Sequence, residues 1–224
     1  MKKDLVIFGT GKIADVIFYY AKEECGFNVV AFTTDKEYAT MEIFHGLPVV
    51  AFEDVAKKYP ADKYDMFIAI GYHGLNVKRE EKYNAALAMG YKLVSIVPPN
   101  ATVPTNVVFG KNCFIMPPCL IHPNVTIGDN VFIWNGSIVG HHSVIEDHCW
   151  LTSGSNVSGT VTIGRNSFLA INATIGHEVT IGERSFIGAN ALVTKSVEAK
   201  SVVIEESTKP FRLNSDQFIR MIRF

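Results

Sequence analysis

Histidines are the residues of this 224-residue chain best suited to moving a proton at neutral pH, and five of the seven lie between positions 122 and 177. An unperturbed imidazole titrates near 6.5, so a neutral histidine can take a proton from an amine or hydroxyl as that group attacks an electrophile. His141 and His142 are adjacent, with His122, His148 and His177 around them. A second kind of chemistry is written at the front. Gly9-x-Gly11-x-x-Ala14 follows the apolar run Leu5 to Phe8 and opens an amphipathic stretch to Cys25. Such a turn can aim backbone N–H groups and a helix N-terminus at a phosphate, although a tight strand-to-helix turn with no ligand fits the same residues. Asp35 follows the apolar run Val29 to Phe32, where an acid commonly meets a ribose. Residues 1–96 are few for a full dinucleotide domain, which favours a mononucleotide head group over NAD.

A repeat positions the histidines. Stepping six residues at a time from Val97 to Val193, every position is Ile, Leu, Val or Phe. Four residues further on in each hexad, from Ala101 to Ala191, every residue is Ala, Val, Cys or Ser. One large and one small side chain therefore point inward per six-residue side. Cys113, Cys119 and Cys149 fall on the small row, where cysteine acts as a compact hydrophobe. With Cys25 they form no CxxC pair, so neither disulfide nor metal is expected of them. Glycine fills the second hexad position seven times and asparagine the fourth eight times. Both tolerate the positive φ that a corner every six residues is expected to need. His142 and His148 stand at the fourth position and His122 at the second, all corners. His141 and His177 stand at the third, where side chains project away from the core. Three hexads make a triangular coil, and coils stacked about 4.8 Å apart give a prism roughly 25 Å tall.

This pattern resembles the hexapeptide-repeat acyltransferase superfamily, whose coils wind as a left-handed parallel β-helix and whose members trimerise with clefts between prisms. Ahead of it, apolar runs Asp4 to Phe8, Val29 to Phe32, Met66 to Ile70 and Lys92 to Val97 alternate with helical stretches such as Val77 to Met89. That alternation predicts a small Rossmann-like α/β domain. The expected organisation is this Rossmann-like domain over 1–96, to which the resemblance assigns nucleotide-sugar binding, a β-helix over 97–194 and a tail over 195–224. The tail leaves the solenoid after Val193 and ends in a short helix, Asp216 to Phe224, capped by Ser215.

Within the superfamily the chain is most similar to bacterial nucleotide-sugar N-acetyltransferases of the bacillosamine and perosamine type and to sialic acid O-acetyltransferases. The likeness covers roughly residues 1 to 200, and the segment Trp134 to Ile145 looks like their catalytic segment. The resemblance implies that His141 is the general base and that Asn135 helps hold the acceptor. It places acetyl-CoA against Gly154, Gly159 and Ala189, with the Gly159 N–H offered to the thioester carbonyl. It places the acceptor's nucleotide against Gly9, Gly11, Lys12, Asp35, Lys36 and Gly71. It further implies direct attack in a ternary complex, a homotrimer with active sites between subunits, and no metal. Two departures stand out. His142 occupies the position where the family carries Glu or Asp, leaving Glu146 and Asp147 as candidates to orient His141. Val202 to Pro210 replaces the family's glycine-valine-proline segment near coenzyme A.

Other classes are weaker. A γ-carbonic-anhydrase-like zinc lyase needs an HxxxxH pair, and no two histidines here are five apart. A non-catalytic sugar-nucleotide binding or scaffold protein remains open through the missing carboxylate. A net charge of −1 gives no long-range pull toward nucleic acid or an anionic membrane. The run Leu5 to Phe8 is too short for a signal peptide, and no apolar stretch reaches membrane-spanning length. A cytoplasmic protein is expected.

Overall fold

The computed structural model describes residues 4–222. The front of the chain runs β1 (Asp4–Phe8), α1 (Lys12–Tyr19), β2 (Val29–Thr34), β3 (Ile43–Phe44), β4 (Leu47–Ala51), the short α2 (Val55–Lys58), β5 (Tyr64–Ile68), α3 (Val77–Ala88) and β6 (Lys92–Leu93). The sheet order is β3-β4-β2-β1-β5-β6, parallel except for the β3–β4 hairpin. β1 is central and buried from Leu5 to Phe8, which is why it reads as one apolar run without alternation. Several bounds differ from expectation, β2 running on to Thr34 and α3 ending at Ala88. β5 ends at Ile68, because Ala69 to Gly71 turn into the loop at the strand's end. β6 ends at Leu93, because the chain then crosses to the prism, where the Ile96 N–H donates to the Cys113 carbonyl.

Two-residue parallel strands then recur every 18 positions on three faces. Face one carries Val108–Phe109, Thr126–Ile127, Val144–Ile145, Thr162–Ile163 and Thr180–Ile181. Face two carries the strands from Phe114–Ile115 to Phe186–Ile187 and face three those from Leu120–Ile121 to Leu192–Val193. Both inward rows meet in one core. Phe109 departs from this, being 41% exposed at the prism's open first coil. Serines on the small row keep their hydroxyls satisfied: Ser137 donates to the Thr152 carbonyl at 3.1 Å and Ser143 to that of Ser158 at 3.0 Å. Burial pushes the Cys113, Cys119 and Cys149 thiols up to about 12, so none offers a thiolate.

Positive φ belongs to the fourth hexad position alone, at Asn112, Asn124, His142 and His148 among others. The second-position glycines do not take it, which corrects the expectation for them. They are needed for close stacking: a Cβ on Gly140 would lie 2.5 Å from the Gly159 nitrogen, and one on Gly182 would lie 2.3 Å from that of Ala199. The ladder also outlasts Val193. Val197 bridges Ile181 and Val202–Val203 pairs with Phe186–Ile187, in a final coil of 16 residues that counting by six misses. In the tail, α4 (Ser215–Ile222) is capped by Asn214, not Ser215. Gln217 and Asn214 exchange side-chain to backbone bonds of 3.0 and 3.2 Å, a reciprocal box that Ser215 is one residue too late to make. Residues 223–224 of the expected helix lie outside the described residues.

The α/β domain docks on face two. The outward Phe114, Phe132, Trp150 and Phe168 pack with Leu5, Ile7, Ile17 and Phe67 in one cluster. Arg79 of α3 reaches through this contact and is 0% exposed. Its guanidinium stacks on Phe132 and Trp150, with 4.4 and 5.1 Å to the ring centroids. It donates to Asn130 Oδ1, Asn76 Oδ1 and the carbonyls of Asn130, His148 and Cys149. No carboxylate pairs with it among the described residues, and burial pulls it down to about 9. Beside it His148 is buried at its corner, with Nε2 3.5 Å from Glu80 Oε1 and Nδ1 3.0 Å from the Asn130 amide.

Arg79→Met should cost about 3 kcal/mol, because buried carbonyls lose their donor and the ring stack loses its cation. Chemical denaturation would read this loss, and Arg79→Lys should not restore it, since an ammonium cannot reach the same five acceptors. For His148, burial outweighs the pull of Glu80 and holds the imidazole below its ordinary value. The unfolded chain therefore binds the proton first. His148 should contribute fully above about pH 6.5 and lose its contribution as pH falls through the depressed folded value. Melting temperatures of wild type and His148→Asn, a residue this corner accepts, should diverge in pH slope over that acidic window.

Candidate functional site

Three regions collect most of the residues singled out by sequence. The first is the crevice at the carboxyl end of β1, where the order reverses, since β2 lies on one side and β5 on the other. A 690 Å³ cavity opens there, lined by Gly9, Thr10, Gly11 and Lys12 after β1, Thr34 at the end of β2 with Asp35 after it, and Ala69 to Gly71 after β5. Gly9 is at φ +122, and a Cβ there would lie 2.8 Å from the Ala69 carbonyl oxygen, so the turn itself demands glycine. Gly11 has nothing within 4 Å of its Cβ position and Gly71 nothing nearer than 3.8 Å. Their backbones are open to a ligand.

Asp35 is paired with Lys82 of α3, so it meets the cavity as half of an ion pair. Lys78, Lys82, Tyr38 and His73 also line the cavity and were not anticipated. The signal was present: Lys78 and Lys82 are four apart and share one face of α3. Three lysines against one aspartate make the crevice suited to an anion such as a diphosphate. Lys36 lies outside it, exposed in an adjoining depression with its N–H 3.2 Å from Glu53.

The second region is the prism edge between faces three and one, built from residues 122–125, 140–143, 158–161 and 176–179. His141 is exposed there and its ring lies on Gly159 of the next coil, where a Cβ would approach Cε1 to 2.7 Å. His177 follows one coil further, with 6.4 Å between the ring centroids. The partner of His141 Nδ1 is His142 Nδ1, at 3.1 Å. Glu146 and Asp147 do not serve that role. Both lie on the edge between faces one and two, where Glu146 accepts from the Arg165 N–H and Asp147 from the Asp129 N–H.

Asn135, Gly154 and Ala189 lie on the remaining edge, between faces two and three. Asn135 Oδ1 accepts from Ser153 Oγ at 2.8 Å, its carbonyl accepts from the Gly154 N–H at 3.0 Å, and Ala189 is exposed. Six extended residues separate Asn135 from His141, roughly 15–20 Å across face three. One chain therefore brings His141 together with Gly159, and Asn135 with Gly154, but does not join the two pairs. The crevice is further removed, because its domain covers face two and the His141 edge is the vertex opposite that face. Among the described residues no group of three or more His, Cys, Asp and Glu could hold a metal ion, and no helix is long and apolar enough to cross a membrane.

The family described as bacterial transferase hexapeptide (six repeats) matches residues 106–141 and 160–195, and the PglD N-terminal domain matches residues 4–91. No curated protein matches by sequence. Among solved structures, the acetyltransferase domain of PglB from Neisseria gonorrhoeae FA1090, with acetyl coenzyme A, is 21% identical, covers 94% of this chain and 100% of its own, and superposes with a TM-score of 0.82. PerB from Caulobacter crescentus, with CoA and GDP-perosamine, is 28% identical over 90% of this chain and 94% of its own, with a TM-score of 0.81. A histidine-to-asparagine mutant of perosamine N-acetyltransferase from the same organism, in complex with the same two molecules, is 27% identical over 90% of this chain and 93% of its own, with a TM-score of 0.82.

Proposed function

The chain belongs to the hexapeptide-repeat acyltransferases, and from that premise we propose that it transfers an acetyl group from acetyl-CoA to an amino or hydroxyl group of a nucleotide-linked sugar, with His141 as general base. The observation that carries this reading is the exposed His141 ring laid on Gly159 at a prism edge. It sits in a chain whose second domain offers an anion-suited crevice at the sheet's switch point. The likeness to PerB, which was solved with CoA and GDP-perosamine, supports the pairing of donor and acceptor classes.

The acceptor's lone pair attacks the thioester carbonyl carbon, and Nε2 of His141 takes the proton that the nucleophile sheds. The Gly159 N–H, unobstructed by a side chain, donates to the oxygen as negative charge develops on it. Collapse of the tetrahedral intermediate breaks the C–S bond, and the proton held by His141 passes to the leaving thiolate. No acyl-enzyme forms, in keeping with buried cysteines that stay protonated. The separation of crevice, Asn135 edge and His141 edge within one chain supports a homotrimer in which neighbouring prisms complete each site. Both substrates are cytoplasmic metabolites, which supports a cytoplasmic enzyme.

Labelled acetyl transfer to a mixture of nucleotide-linked amino sugars is the direct test. His141→Ala should lower turnover by about 10²–10⁴ with the melting temperature unchanged. Full turnover in that variant removes the proposal. Gly159→Ala has an ordinary backbone conformation, so its methyl should push the imidazole aside without unfolding the coil. A displacement of about 1 Å should cost about 10² in kcat, while acetyl-CoA binding persists by equilibrium dialysis. If acetyl-CoA does not bind even the wild type, the non-catalytic sugar-nucleotide reading that the missing carboxylate keeps open takes its place.

A further inference from the structure

His142 does more than turn a corner. Its φ of 59° is the conformation it shares with Asn124 at the same corner one coil earlier, and it contacts that residue directly. Asn106 Nδ2 lies 2.7 Å from Asn124 Oδ1, and Asn124 Nδ2 lies 3.2 Å from His142 Nε2. His142 Nδ1 lies 3.1 Å from His141 Nδ1. Four side chains from three successive coils thus form one unbroken line of hydrogen bonds ending on the ring that the proposed function makes the base.

We infer that His142 is a positioning residue that sets the tautomer of His141, with the Asn124–Asn106 ladder behind it, in the role a carboxylate would otherwise fill. This rests on His141 being the base. Two neutral imidazoles that meet through Nδ1 atoms share one proton between them. For His141 Nε2 to accept a proton, the shared one must sit on His141 Nδ1 and be donated to His142 Nδ1. His142 then carries its own proton on Nε2 and gives it to Asn124, whose amide must present oxygen. The opposite polarity, which is the one given by Asn106 Nδ2 facing Asn124 Oδ1 and Asn124 Nδ2 facing His142 Nε2, puts the shared proton on His142 and leaves His141 Nε2 protonated and unable to act. A half-turn of each asparagine amide interconverts the two and keeps every bond. The ladder therefore has one competent polarity and one silent one.

The groups facing the pair are few. Among the described residues, the histidine–carboxylate contacts within 4.0 Å are His45–Asp15, His148–Glu80 and His177–Glu178. Glu178 is held by His177 at 3.4 Å, one coil beyond Gly159, and neither His141 nor His142 has a carboxylate of its own. When His141 takes the substrate proton, the acceptor of its Nδ1–H is a neutral lone pair. Protonation of His142 at Nδ1 would abolish that acceptor.

The corner supplies its own test variants, because it holds asparagine at 124 and glutamate at 178 with the same positive φ. His142→Asn keeps the corner and the contact to Asn124 but is too short to reach His141. It should lower kcat about tenfold or more at an unchanged melting temperature, with KM for acetyl-CoA within about twofold. His142→Glu should restore turnover, and its charge should move the acid limb of the kcat/KM profile up by about one pH unit. Wild-type kcat in His142→Asn, or an unmoved acid limb in an active His142→Glu, overturns the inference. His141→Ala measured alongside separates the two failures. If it is inactive while His142→Asn is unaffected, only the positioning role falls; if it is fully active, the base assignment falls first.

Discussion

Through the regular coils of the prism each corner residue lies over the residue 18 positions earlier, and that stacking governs the rest of the molecule. From Asn124 onward it takes a left-handed backbone once per hexad, with side chains at several corners that bond to the corner above or below. Asparagine meets both demands, as in the Asn112–Asn130 contact. Aspartates one position earlier use the same spacing to cap backbone, the Lys111 N–H donating to Asp129 and the Asp129 N–H to Asp147. The coil-to-coil approach this produces is close enough that several second-position residues can only be glycine. It also creates the flat seat on which the His141 ring rests.

A buried guanidinium fixes where the other half of the chemistry can be. Arg79 bonds carbonyls of two neighbouring coils from within an aromatic seam, and among the described residues no carboxylate pairs with it. An uncompensated buried cation persists only where its donors are fully used and π faces offset lost hydration. The α/β domain is therefore held on face two in one orientation. That orientation places the lysine-lined crevice across the prism from its own His141. The two candidate regions of one chain are separated by the packing that stabilises the chain.

Much of this was legible in the residues. Val97 to Val193 and Ala101 to Ala191 predicted the core rows, and Gly9, Gly11 and Asp35 marked the crevice. The dock was written there too, in an aromatic every 18 residues at Phe114, Phe132, Trp150, Phe168 and Phe186, a beat hidden by reading in sixes. Lys78 and Lys82 were hidden differently, because an exposed lysine pair on a helix looks the same with or without a cavity beneath it. The second-position glycines misled because glycine answers two unrelated needs, positive φ and absence of a side chain. Only the distance to the next coil tells them apart.

The sequence by itself determined the period, the inward rows, the two-part architecture and the identity of the exposed imidazole, because each of these is a statement about residue types at fixed spacing. The tertiary structure decided which residues meet. Asn135 and His141, six apart, are carried to different edges by the straight side between them. Asn124 and His142, 18 apart, are brought into contact by the closing of one coil. Separation along a solenoid and separation in space follow different rules, and chemistry depends on the second.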